Sequence, residues 1–192
     1  MAARNFLRGV DVDIEPRKRW PAGVRRKGSI QGFDVGRAVS FADDPGWVAE
    51  LQALRTAAPG DVPAELLAGA VATLGRWAKR WPARPVCVVP LPAPDMASNR
   101  RVAEHIAQKG RLPFHDVFSW KGGPAPDDAA STPVVAHLES AVRLAPDAAL
   151  PAGPVLLVAT DVRSRWTATV AAALLREQGA SQVLLLTLHL RP

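Results

Sequence analysis

Residues 153–192 restrict the fold more than any other part of the chain. The segment GPVLLVATDVRSRWTATVAAALLREQGASQVLLLTLHLRP opens with an uncharged, almost wholly apolar run from Val155 to Thr160. A run so short and so uniformly apolar suits a strand covered on both faces, as in a parallel sheet. A polar loop follows, Asp161-Val162-Arg163-Ser164-Arg165-Trp166, and Thr167 leads into an alanine-rich helix over 168–178. Ala172, Leu174 and Leu175 supply its apolar face, and Gly179 is its stop signal. Gln182 to Leu190 is a second apolar strand. Two buried strands joined by one helix predict a right-handed βαβ unit. The loop after the first strand then lies at the carboxyl edge of the sheet, where open α/β folds bind ligands.

Upstream, Val86 to Leu91 reads as another parallel-sheet strand, followed by a loop over 92–100 and a helix over 99–109 that stops at Gly110. Residues 112–120 predict a less apolar strand, 122–131 a Pro/Gly/Asp-rich surface loop, and 132–144 a helix with Val135, Leu138 and Val142 inward. Two further helices are expected at 43–58 and 63–81, where Trp77 and Trp81 suit packing rather than ligand contact. Residues 4–45 read as short and irregular. Val10, Val12 and Ile14 alternate with acidic residues, a period-2 strand signal, and Gly23, Gly28, Gly32 and Gly36 disfavour long helices. The fold class expected is α/β, a parallel-sheet core flanked by helices over 46–192. Residues 1–45 would form a basic N-terminal extension or a small β-containing arm.

Charge separates these parts. The net charge is +6, and the first 40 residues carry nine Lys/Arg against four Asp/Glu. Two basic triplets, Arg17-Lys18-Arg19 and Arg25-Arg26-Lys27, flank Trp20. Cations interleaved with an aromatic can neutralise phosphates and stack a base, so DNA is one expected partner. The alternatives are that Trp20 pins the arm to the domain and that the charge is a solubilising surface. One cysteine, Cys87, sits inside an apolar strand, which excludes a disulfide framework and a zinc cluster and fits a reducing compartment. No apolar run approaches ~18 residues, and no signal-peptide hydrophobic region opens the chain, so no membrane partner and a cytoplasmic location are expected. His105, His115, His137 and His189 show no metal spacing and read as surface or satisfied histidines. There is no G-x-x-x-x-G-K-[ST] phosphate loop, so the chain should not hydrolyse ATP.

The order of apolar strand, two further residues, Ser/Thr-containing turn and helix Thr resembles the phosphoribosyl-pyrophosphate loop of type I phosphoribosyltransferases. The residues that carry this are 153–158, Ser164 to Thr167 and 169–176. With 14–18, Trp20-Pro21, 86–90 and 110–113, they resemble more closely the phosphoribosyltransferase-like domain at the C-terminus of certain bacterial RecQ-type DNA helicases. The resemblance spans nearly the whole chain. It implies a type I phosphoribosyltransferase-like fold, a helicase motor domain of the same parent protein as partner, a role in DNA repair or recombination, and a nucleoid-associated location. ATP and Mg2+ are expected only for that upstream motor, and no cofactor for this chain.

Catalytic members of the family hold the ribose hydroxyls with two adjacent acidic residues after the first strand, and wrap the 5′-phosphate with a Ser/Thr- and Gly-rich turn at a helix N-terminus. In this sequence the acidic positions are Ala159 and Thr160, and the glycine position is Arg165. Asp161, one residue later, should face the other side of the strand. Arginine should resist the positive φ that glycine allows. No catalytic residue is therefore expected. Asp161, Arg163, Ser164, Arg165, Trp166 and Thr167 remain as candidate phosphate or anion contacts, for the DNA backbone or a phosphorylated small molecule. Trp166 is open to two readings, packing on the helix or an exposed stacking surface. Arg100 and Arg101, near a helix start in the position of the family's pyrophosphate loop, either meet an anion or are plain surface arginines.

Overall fold

A computed structural model of the chain describes residues 7–126 and 130–191. A central five-stranded sheet is built from β1 (Val12–Ile14), β2 (Val35–Phe41), β3 (Cys87–Pro90), β6 (Gly153–Val162) and β7 (Ala180–Leu190), in the spatial order β1-β2-β7-β6-β3. All neighbours are parallel except β1, which runs antiparallel to β2 at the edge. The helices are α1 (Val48–Thr56), α2 (Ala64–Trp77), α3 (Ala97–Gly110), α4 (Ser131–Ala141) and α5 (Trp166–Glu177). The protein is thus a mixed α/β fold with a mostly parallel sheet flanked by helices, as the apolar strand runs predicted.

Burial on both faces explains why β6 and β7 are apolar without alternation. Val155, Leu157, Val183 and Leu185 enter one core with residues of α4 and α5. Leu156, Val158, Leu184 and Leu186 point the other way, into a core shared with α1, α2 and α3. Each strand therefore needs hydrophobic residues at every position. Cys87 is fully buried in β3, and burial pushes its thiol up to about 11.

Several boundaries differ from those expected. β2 was not legible because Gly36 and Arg37 interrupt its apolar pattern. Gly36 is needed there, since a Cβ would lie 3.0 Å from Ile14 Cβ and 3.1 Å from Leu185 O. Arg37 is buried, pairs with Asp11 and Asp13, and lies 6.0 Å from the Trp77 ring centroid. Two strands of the basic N-terminal segment, β1 and β2, consequently lie in the main sheet. The expected helix over 132–144 ends at Ala141, and Val142–Leu144 forms strand β5. β5 pairs with β4 (Phe118–Trp120) in a separate two-stranded sheet, because Val142 and Leu144 alternate with the exposed Arg143. Of the strand expected over 112–120, only Phe118–Trp120 forms a strand, β4, and Phe114 makes a single bridge to Val88.

α2 packs on Trp47 and on Val39 of β2 through Gly69. A Cβ built there would sit 2.4 Å from Trp47 Cη2 and 2.8 Å from Cζ2, and Trp47 is itself fully buried. Helix propensity alone favours Gly69→Ala by about 1 kcal/mol. The clash overrides it, and the variant is expected to be destabilised by about 1–3 kcal/mol in urea unfolding, as overpacked cores are. A stabilised variant would show that α2 does not press on Trp47.

Candidate functional site

The carboxyl ends of β3 and β6 lie side by side, tied where Leu91 N donates to Val158 O at 2.7 Å. Beyond them opens a cavity of about 270 Å³. Its walls are the loop after β3 (Pro92 to Asp95), the end of β6 with the loop after it (Thr160 to Arg165), the first turn of α5 at Thr167, and Trp120 with Pro124 to Pro126. This is the edge where the sequence placed its ligand loop.

Asn99, from α3, forms the floor. It is nearly fully buried, and its Nδ2 donates to Leu91 O at 2.7 Å. Its Oδ1 accepts from both the backbone N and the Oγ1 of Thr160, each at 2.8 Å. One amide therefore clamps the ends of β3 and β6 together. Ala159 is packed in the core, and Thr160 is bound to Asn99. Asp161 is engaged by Arg191, with Nε donating to Oδ1 at 3.0 Å and Nη2 meeting Oδ2. This set offers no adjacent carboxylate pair to a Mg2+–ribose complex. Among the described residues no cluster of three His, Cys, Asp or Glu could hold a metal ion.

The turn into α5 bends sharply at Arg165. Arg165 caps the helix with φ +66°, and its carbonyl accepts from Thr169 N at 2.9 Å and Thr169 Oγ1 at 2.8 Å. The expectation that arginine would resist positive φ is therefore corrected. Arg165 adopts the left-handed bend, at a cost of about 1–2 kcal/mol for a non-glycine residue, and its Nη1 donates to Glu15 O at 3.1 Å. Arg17 holds the same loop, with Nη2 donating to Ser164 O at 2.9 Å. Arg163, Ser164, Arg165 and Thr167 all line the cavity.

Trp166 does not. It is 3% exposed, and Trp20 stacks on it with centroids 6.1 Å apart and planes inclined by 22°. The Arg17 guanidinium lies 4.7 Å from its centroid, and burial, with Arg165 nearby, pulls Arg17 below its ordinary pKa. Packing is thus the role of Trp166, and Trp20 pins the basic segment to α5. Arg26 is committed too, to Glu177 and, at 5.6 Å, to the Trp20 ring. The backbone N–H groups of Arg25 and Arg26 donate to the Glu139 carboxylate at 3.1 and 3.0 Å. The side chains of Lys18, Arg19, Arg25 and Lys27 remain exposed. Arg100 pairs with Asp116, and neither it nor Arg101 lines the cavity. Sequence reasoning missed Asn99, Glu15 and Arg191 as site residues. None belongs to a local pattern, and each acts on a residue far away in the chain.

His189, near the end of β7, lies opposite Asp161 of β6 and is buried. Ser40 Oγ donates to Leu188 O at 2.8 Å and so accepts from His189 Nδ1 at 3.0 Å. Burial lowers the pKa of the ring below 6.5, against the opposing pull of Asp161. The folded protein therefore disfavours the proton that the unfolded chain takes up, and this stabilisation is complete above pH 6.5 and declines as pH falls below it. Thermal melts in this range are expected to show a slope that His189→Asn, which can keep a hydrogen bond to Ser40, reduces. An unchanged slope in the variant would remove His189 as its source.

No helix among the described residues is long and apolar enough to cross a membrane. Comparison with family models, curated proteins and solved structures finds no match to the chain.

Proposed function

We propose that the chain is a non-catalytic phosphoribosyltransferase-like domain that serves as an accessory module of a RecQ-type DNA helicase and retains a phosphate-binding pocket. The observation that carries this reading is the division of labour at the end of β6. The positions that would hold ribose and metal are filled by Ala159 in the core and Thr160 on Asn99, while Arg163, Ser164, Arg165 and Thr167 still line an open cavity at a helix N-terminus. Such a site attracts an anion without supplying the carboxylates for group transfer. The exposed Lys18, Arg19, Arg25 and Lys27 support DNA engagement by the outer face of the N-terminal segment.

Two titrations test the proposal. Calorimetry with phosphoribosyl pyrophosphate and nucleotides is expected to give heat with or without Mg2+, no pyrophosphate release with any nucleobase, and loss of binding in Arg163→Ala/Arg165→Ala. Pyrophosphate release would establish a transferase instead. Fluorescence polarisation with single-stranded, duplex and forked DNA across a salt series should show a steep log–log slope. Neutralising the four exposed cations should lower that slope by about 0.7–0.9 for each phosphate that is no longer paired. Absence of DNA binding at low salt would leave docking to the motor as the domain's role.

A further inference from the structure

A second cavity, of about 260 Å³, opens at the same edge of the sheet beside the first. The two share Thr160, Asp161 and Arg191, so the Asp161–Arg191 ion pair is the wall between them. The second cavity takes its other side from α1, through Leu51, Leu54 and Arg55.

Its chemistry differs from that of the phosphate pocket. Leu51 is buried and Leu54 half-buried, which gives an aliphatic wall. Arg55 is exposed, and Arg191 uses one edge of its guanidinium on Asp161, leaving further N–H donors. His189 lines the cavity and is 7% exposed. Its Nδ1 is taken by Ser40 Oγ, which itself donates to Leu188 O, so the ring carries its hydrogen on Nδ1. Nε2 is left as a bare acceptor with no partner among the described residues. An acceptor on the cavity wall beside two guanidinium groups and an aliphatic wall matches a ligand with a donor, an anion and a short apolar body.

We infer that this cavity binds a small aliphatic 2-hydroxy acid. The carboxylate sits between Arg55 and Arg191, the hydroxyl donates to His189 Nε2, and the aliphatic tail lies on Leu51 and Leu54. At roughly 30 Å³ of liquid volume per water, the cavity has room for a six-carbon acid.

The test is an NMR titration of the whole chain with 2-hydroxyisocaproate, with isocaproate as the analogue lacking the hydroxyl. Saturable shifts are expected at the Leu51 and Leu54 methyls and the His189 ring. Losing one neutral hydrogen bond should weaken isocaproate by about fivefold to tenfold. Arg55→Ala, at an exposed position that does not threaten folding, should weaken the hydroxy acid by about tenfold through removal of a charge-assisted hydrogen bond. The inference is overturned by absence of shifts, by equal affinity for the two acids, by an Arg55→Ala variant that binds as the parent does, or by shifts confined to residues 163–167.

Discussion

Trp166→Ala is expected to lower the unfolding free energy by about 3–5 kcal/mol, the range for truncating a buried aromatic. Three contributions add. The ring is buried against α5's surroundings, it stacks on Trp20, and it carries the Arg17 guanidinium that in turn holds Ser164 O. One contribution opposes them, since Nε1 is buried without a hydrogen-bond partner. An unsatisfied donor of that kind costs about 1–3 kcal/mol. Trp166→Phe, which keeps a ring for Trp20 and deletes the orphaned N–H, should therefore lie much closer to the parent than alanine does. Urea unfolding measures both. Alanine should also loosen the N-terminal segment, so trypsin should cut at Lys18 and Arg19 faster than in the parent. A loss below about 1 kcal/mol, under the typical cost of a core truncation, would mean that Trp166 is not the anchor of that segment.

The second large effect belongs to Asn99. Asn99→Ala leaves the carbonyl of Leu91 and the amide of Thr160 without their partners. At about 1–3 kcal/mol for each buried group orphaned, a total of about 2–4 kcal/mol is expected, Thr160 being only half-buried. Asn99→Asp should be worse near neutral pH, because an ionised carboxylate cannot donate and would face the Leu91 carbonyl. Protonation restores a donor, so this variant should recover relative to alanine as pH falls. If aspartate and alanine behave alike at every pH, the Nδ2-to-Leu91 hydrogen bond is not what clamps the two strands. Because Asn99 lines the first cavity, the proposed anion binding by the Arg163–Thr167 turn should also weaken in both variants, which separates them from Trp166→Phe.

Much of the architecture was legible because its signals are local. β6, α5 and β7 follow from uninterrupted apolar runs joined by a helix that ends at a glycine, Gly179, at φ +98°. The position of the ligand loop followed as well, since a parallel βαβ unit places it at one edge of the sheet. β2 was hidden by Gly36 and Arg37. A glycine and an arginine read as loop until Ile14, Leu185, Asp11 and Asp13 are brought around them. The roles of the basic residues were hidden for the same reason. Arg17 and Lys18 are equivalent in a charge count, yet one straps Ser164 and the other faces solvent.

By itself, then, the sequence determined a mixed α/β fold with a buried parallel unit at its C-terminal end, whose first strand is followed by no adjacent pair of carboxylates. These follow from residue type and from periods of a few residues, which the backbone enforces locally. Tertiary structure alone decided that β2 lies between β1 and β7, that Trp20 lies on Trp166, that Asn99 closes the pocket floor, and that Asp161 is spent on Arg191. Hydrogen bonds such as Arg17 to Ser164 join residues 147 positions apart. Only the close packing of the whole chain fixes such pairings, and no local pattern of residues encodes them.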